Sequence, residues 1–172
     1  AIFCYTKAAE NGNPDAQYYL GIMYYDGEVV DKDIKKAVKW LKKAAEQGDP
    51  YAQNELGAMY YDGEGVDKDN KEAVKWFKKA AEHGNASAQF NLSRMFQMGH
   101  GVIQDNRTAA KWLKKAAEQG SASAQCNLGV KYQVGEEVVK DLKESVKWYR
   151  KAAEQGFAIA QFNIAMMYAN GN

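Results

Sequence analysis

The chain has 172 residues, enough for one ordinary domain or a short repeat array. It is 46% hydrophobic and 26% charged, the composition of a folded chain rather than a disordered one. Its 23 basic and 22 acidic side chains leave a net charge of +1, which gives no general electrostatic pull toward nucleic acid or an anionic membrane.

The first residues, Ala1 to Lys7, show no basic region ahead of an apolar core, so no signal peptide is read there. No later stretch approaches the roughly 18 consecutive apolar residues of a membrane span. Tyr5, Lys7, Ala8, Ala9, Glu10 and Gly12 instead match Leu41, Lys43, Ala44, Ala45, Glu46 and Gly48, which places the opening inside the second helix of a repeat. The period is 36 throughout. It links Trp40, Trp76, Trp112 and Trp148, and also Gln17, Gln53, Gln89, Gln125 and Gln161, each preceded by Ala.

The first helix of a unit is predicted over roughly Asp15 to Asp26. Ala16, Leu20, Gly21 and Tyr24 form its apolar stripe, and Asn13-Pro14 marks its start. Gly27, Gly63, Gly99, Gly135 and Gly171 follow the ends of these helices, where a left-handed residue is wanted. The interhelix loop carries an apolar residue in each copy, Val30, Val66, Val102 and Val138, expected to plug the end of the hairpin. The second helix is predicted over roughly Ile34 to Gln47, with Ala37, Trp40, Leu41, Ala44 and Ala45 on one face. Asp33 is its expected N-cap, and Asp69 with Glu72 and Asp141 with Glu144 read as capping boxes. One such hairpin cannot bury its own apolar face, so successive units must stack.

The boundaries that follow are 1–12 as the end of a truncated repeat, then 13–48, 49–84, 85–120 and 121–156 as full repeats. Residues 157–172 supply the first helix of a further repeat, so the chain reads as a slice of a longer single array. The two cysteines, Cys4 and Cys126, lie too far apart in such a stack to bridge and are read as free thiols, Cys4 buried.

The string Ala44-Ala45-Glu46-Gln47-Gly48, Ala52-Gln53, Leu56-Gly57, Met59-Tyr60, Gly63 and Gly65-Val66 resembles the Sel1-like repeat. So does the run that follows it, Asp69, Ala73, Trp76 and Lys79-Ala80-Ala81-Glu82. The related tetratricopeptide unit has a period of about 34, shorter than this one. The third copy departs at Ser93, Phe96 and Arg107-Thr108, and the last at Ile164-Ala165. The resemblance implies an all-α, right-handed superhelical solenoid of antiparallel helix hairpins that binds a peptide or protein on its concave face. It also implies a bacterial exported or periplasmic setting, or a eukaryotic quality-control one, the former favoured. Cysteine-rich relatives are linked to β-lactam binding, but their paired cysteines are absent here.

Repeated positions are explained by folding, so a site is sought among variable ones. The first-helix face opposite Leu20 carries Tyr18, Ile22 and Tyr25, then Asn54, Ala58 and Tyr61, then Phe90, Arg94 and Gln97. Cys126, Val130 and Gln133 follow, then Phe162, Met166 and Ala169. Of these, Tyr18, Ile22, Tyr25, Tyr61, Phe90, Arg94, Val130 and Phe162 are the candidate partner-binding residues. The lysines of the second helices, such as Lys39, Lys42 and Lys43, read as a solvated outer face. No nucleophile–base pair, metal-ligand spacing or phosphate loop is present, so no catalytic residue, cofactor or metal is expected. The expected partner is a protein or peptide, with no nucleic acid and no membrane insertion, and with end-to-end contacts through uncapped termini. The alternatives are a structural spacer within a larger protein or a cell-wall-related enzyme.

Overall fold

A computed structural model of the chain describes residues 2–169. Among them are ten helices: α1 (Ile2–Glu10), α2 (Pro14–Asp26), α3 (Ile34–Glu46), α4 (Pro50–Asp62), α5 (Asn70–Glu82), α6 (Ala86–Met98), α7 (Asn106–Glu118), α8 (Ala122–Val134), α9 (Leu142–Glu154) and α10 (Ala158–Ala169). They fall into two compact units. One runs through Ala88 and includes His100–Val102; the other takes Gln89–Gly99 and everything from Ile103. In the first, α2 pairs with α3 and α4 with α5; in the second, α8 pairs with α9.

Each hairpin is closed by the same few groups. The Asn13 side chain accepts from the Ala16 amide at 2.8 Å, and Asp49 accepts from that of Ala52 at 2.6 Å, each ahead of a proline that needs no amide partner. Gly27, Gly63 and Gly135 end α2, α4 and α8 at φ of 75°, 79° and 82°, a conformation that favours glycine because it has no β-carbon. The second helices start at Asp33, Asp69, Asp105 and Asp141, whose carboxylates cap the first turn.

The expected capping boxes form only by half. The backbone amide of Asp69 already donates to the Tyr60 carbonyl at 2.9 Å, and that of Asp141 to Tyr132 at 2.9 Å, tying the loop back to the first helix. Glu72 and Glu144 therefore have no amide to return to. They turn outward and pair with Lys75 and Lys147, each at 2.9 Å.

The apolar core lies between the two helices of each hairpin and the neighbouring hairpin. In the first unit it gathers Ala37, Leu41, Ala44, Ala52, Leu56, Met59 and Trp76; in the second, Leu113, Ala116, Ala124, Leu128 and Trp148. Close approach within a hairpin depends on glycine. A β-carbon at Gly57 would sit 2.7 Å from the Phe77 ring, and one at Gly129 would sit 2.7 Å from Tyr149. The loop valines Val30, Val66, Val102 and Val138 are half-buried.

A buried glutamine stitches one repeat to the next, which explains the recurrent Ala-Gln pair. Gln17 donates to the Ala9 carbonyl at 3.0 Å, Gln53 to Ala45 at 3.0 Å, and Gln125 to Ala117 at 3.1 Å. Those carbonyls belong to the last turn of the preceding second helix, where intrahelical partners run out. The same glutamines accept from the residue that ends their own repeat's second helix: Gln47 reaches Gln17 at 2.7 Å, and Gln155 reaches Gln125 at 2.9 Å.

Two expectations change. Cys4 is exposed, whereas Cys126 is buried. Cys4 occupies the register position of Trp40, which packs back onto Ala16 and Leu20 of its own hairpin's first helix and Ala9 of the repeat before. No described residue stands ahead of α1 to cover Cys4 in that way. The second-helix lysines also do more than solvate. Lys43, Lys79, Lys115 and Lys151 place their ammonium groups 4.4–4.5 Å from the ring centroids of Trp40, Trp76, Trp112 and Trp148, one helical turn away.

Candidate functional site

The first helices α2 and α4 of the first unit, and α6 and α8 of the second, lie side by side and form shallow grooves. The groove in the first unit encloses about 30 Å³ and is lined by Ile22, Tyr25, Glu55, Ala58, Asp62 and Glu64, among others. That in the second encloses about 180 Å³, with Phe90, Arg94, Gln97 and Val130 on its walls. Small-molecule sites run to about 300–1,000 Å³. These grooves are too shallow to swallow a ligand and suit side chains laid across a surface.

Within each unit the structure brings together most of the candidate residues, but their exposure differs. Tyr18, Ile22, Tyr25, Tyr61 and Phe90 are half-buried, Arg94 and Val130 are exposed, and Phe162 stands apart on α10 with 64% of its surface exposed. Asn54 and Cys126, on the same register as Tyr18, are buried. That face therefore contributes to inter-repeat packing as well as to the surface. Neighbouring first helices are close enough to bury Asn54 and Cys126 between them, while Tyr18 and Phe90 stay partly exposed.

Tyr25 and Tyr61 have structural partners. The Tyr25 hydroxyl donates to a Glu64 carboxylate oxygen at 2.8 Å. One repeat later, Tyr61 meets Nδ1 of His100 at 3.4 Å, the rings stacked 5.9 Å apart. Each pair straps the end of a first helix to the loop of the following repeat. The hydrogen bond to Glu64, then burial, raises the Tyr25 phenol above its ordinary pKa.

The surface aromatics concentrate elsewhere in the first unit. Tyr18 lies 5.3 Å from Tyr19 and 6.0 Å from Tyr51, and Tyr5 lies 5.8 Å from Tyr19. Tyr19 is 50% exposed and Tyr51 61%, so α1, α2 and α4 together present an aromatic platform. Burial, then the nearby Glu55 and Asp49 carboxylates, raise the Tyr18 pKa, which marks the platform's edge as acidic. Tyr51 escaped the sequence reading because it does not lie on the Tyr18 register. The signal was available: Ser87, Ser123 and Ile159 hold its place in later copies.

Sel1 repeat models match residues 1–13, 14–49, 50–85, 86–121, 122–157 and 158–172. The chain belongs to the Sel1 repeat family. Its fold is that family's all-α solenoid of helix hairpins, and the family generally mediates protein–protein interaction. A Sel1 repeat protein from Oxalobacter formigenes is similar at a TM-score of 0.94 and 40% identity, over 99% of this chain and 49% of that one. A protective antigen present in uropathogenic Escherichia coli strains, displaying an SLR fold, follows at 0.88 and 43%, over 97% of this chain and 36% of that one. An immunity protein from Pseudomonas aeruginosa is more distant, at 0.67 and 27% identity over 94% of this chain and 58% of that one. This Sel1 chain thus spans about half the length of the first of these and little more than a third of the second. A search of curated proteins returns no match. Among the described residues of this Sel1 array, no helix is long and apolar enough to cross a membrane.

Proposed function

We propose that this Sel1 chain is a protein-interaction scaffold whose first-helix face takes up an extended or helical segment of a partner protein. The observation that carries the reading is the cluster of exposed Tyr19 and Tyr51 around half-buried Tyr18. Tyrosine offers a large amphipathic contact surface at little conformational cost, and clustered exposed aromatics are typical of binding hot spots. Beside the cluster, Glu55, Asp62 and Glu64 line the neighbouring groove. A partner segment with Arg or Lys next to an apolar residue satisfies both features, its cation meeting the carboxylates and the tyrosine faces. Within the second unit, Phe90, Arg94 and Val130 offer a contact surface of their own, and Phe162 on α10 an apolar anchor.

The test is selection from a displayed random-peptide library against the whole chain, with affinities of enriched peptides measured by calorimetry. Enriched sequences should be rich in basic and apolar residues and should lose about tenfold or more in affinity against Tyr19→Ala/Tyr51→Ala. Absence of any saturable binder, or binders indifferent to that pair of substitutions, would overturn the reading.

A further inference from the structure

Each copy of the repeat shows what folding demands at each position, so the copies serve as controls for one another. Three departures from the repeat line one place in the second unit, and a fourth stands beside it. Lys131 stands where Met23, Met59, Met95 and Met167 stand elsewhere. Glu137 follows Val29, Gly65 and Gly101 in register and keeps the left-handed backbone of the two glycines at φ 61°, the one positive-φ non-glycine among the described residues. Ala110 replaces Val38, Val74 and Val146. Thr108 stands where the other copies have Lys36, Glu72 and Glu144.

The first two departures form a pair. Lys131 is only 7% exposed, and its ammonium lies 2.6 Å from a Glu137 carboxylate oxygen. Exchanging a methionine and a glycine for a part-buried ion pair on a left-handed backbone brings little folding advantage, since backbone strain and desolvation of Lys131 offset the attraction. The other two departures open and charge the adjoining space. In the first unit, Ile34, nearest, and Val38, at 2.9 Å, crowd the place where a β-carbon of Gly65 would be, so helix and following loop close on each other. With Ala110 and Glu137 at these positions, a cleft of about 440 Å³ lies between α7, α8 and the loop, within the size range of small-molecule sites. Glu72 and Glu144 each hold the lysine one turn on, Lys75 and Lys147. Thr108 instead bonds Asp105, leaving Lys111, and Arg107 beside it, with no ion pair among the described residues. Both line the cleft, over a floor of Leu128, Tyr132 and Val138.

We propose that this cleft binds a small organic anion, a carboxylate carried on an aromatic or branched apolar body. The body lies on Leu128, Tyr132 and Val138, and Lys111 and Arg107 meet the carboxylate at the rim. Lys131 is neutralised by Glu137 and Glu136, at 2.6 and 3.9 Å, so the unpaired positive charge of the cleft comes from Arg107 and Lys111. The site is separate from the first-helix grooves and does not depend on their role.

The experiment screens the whole chain, by ligand-observed and protein-observed NMR, against a panel of aromatic and branched aliphatic carboxylates and their matched neutral amides. Two variants restore residues that the fold already carries in other copies: Ala110→Val closes the cleft, and Thr108→Glu returns a partner to Lys111. Circular dichroism checks that both stay folded. The expected result is saturable carboxylate binding with shifts confined to α7, α8 and residues 135–139. Amides should bind about tenfold more weakly, and each variant should weaken the carboxylates by about tenfold. A panel without hits, hits that do not discriminate carboxylate from amide, or hits untouched by both variants would overturn the proposal.

Discussion

Gly57→Ala puts the packing of the hairpin to a direct test, because two opposing effects of known size meet there. Alanine is a better helix former than glycine by about 1 kcal/mol, so an unpacked site would gain that much. The added β-carbon would lie 2.7 and 2.8 Å from two carbons of the Phe77 ring, well inside the 3.5–4.0 Å optimum for carbon contacts. Phe77 is only 2% exposed and has no room to withdraw. Overpacking of this kind costs about 1–3 kcal/mol, so the net change is a loss of about 1 kcal/mol, or about 2–4 °C in melting temperature. The third copy shows how the conflict can be relieved. There Ser93 carries a β-carbon at the equivalent position, opposite Leu113, and both are buried. Gly21 lies as close to Leu41 as Gly57 does to Phe77, so the relief comes from leucine's freedom to turn rather than from its size. In a Phe77→Leu background, Gly57→Ala should therefore be neutral or stabilising. Denaturant titration of the four proteins gives the coupling energy of the cycle, expected at about 1–2 kcal/mol. A gain of the full helix-propensity increment in both backgrounds, with no coupling, would refute the steric argument.

The tryptophans should separate by burial: Trp76→Ala and Trp148→Ala, at buried positions, cost about 3–5 kcal/mol, and Trp40→Ala and Trp112→Ala, at half-buried ones, measurably less. Four equal losses in thermal melts would contradict that ordering. Gln125→Leu should cost only about 1 kcal/mol, because the Ala117 carbonyl it leaves still accepts from Gly120 at 3.1 Å and the Gln155 amide can turn to water. A loss of several kcal/mol in denaturant titration would show that the glutamine ladder carries more than hydrogen bonding. The Lys36 amide holds Asp33 below the usual carboxylate range, and the Thr108 hydroxyl, then its amide, does the same for Asp105. Their stabilisation is present above the unfolded value of about 3.9 and is lost as pH falls through the lowered folded values. Melting temperature should fall on acidification below that point. Asp105→Asn keeps a capping oxygen without the titration, so its melts should lose part of that acid slope; an identical slope would rule this contribution out.

Much of the local structure was legible because it rests on short-range rules. Asp33, Asp69, Asp105 and Asp141 cap helices wherever they stand, and Gly27, Gly63 and Gly135 take left-handed turns, since both effects act within a few residues. The capping boxes misled for a tertiary reason: the amide that Glu72 would satisfy is taken by Tyr60, on another helix. The candidate site was harder to read. Counting about 100° per residue finds one face of a helix but not what the neighbouring helix covers, so Asn54 and Cys126 fell on the same stripe as Tyr18 while being buried. Tyr51 lay outside the stripe and proved one of the most exposed aromatics of the first unit.

By itself, the sequence determined the repeat, its period, its two helices and their caps, because a period of 36 with Trp, Ala-Gln and Gly in register leaves no other hydrophobic pattern to satisfy. Tertiary structure alone decided which partners these residues take. The glutamines reach back to the preceding repeat, and the lysines of the second helices settle on the tryptophans. Ala110, Lys131 and Glu137, scattered over two repeats in sequence, line one cleft, with Thr108 beside Arg107 at its edge. Such pairings depend on distances between helices, and a one-dimensional pattern does not contain those distances until the chain is stacked.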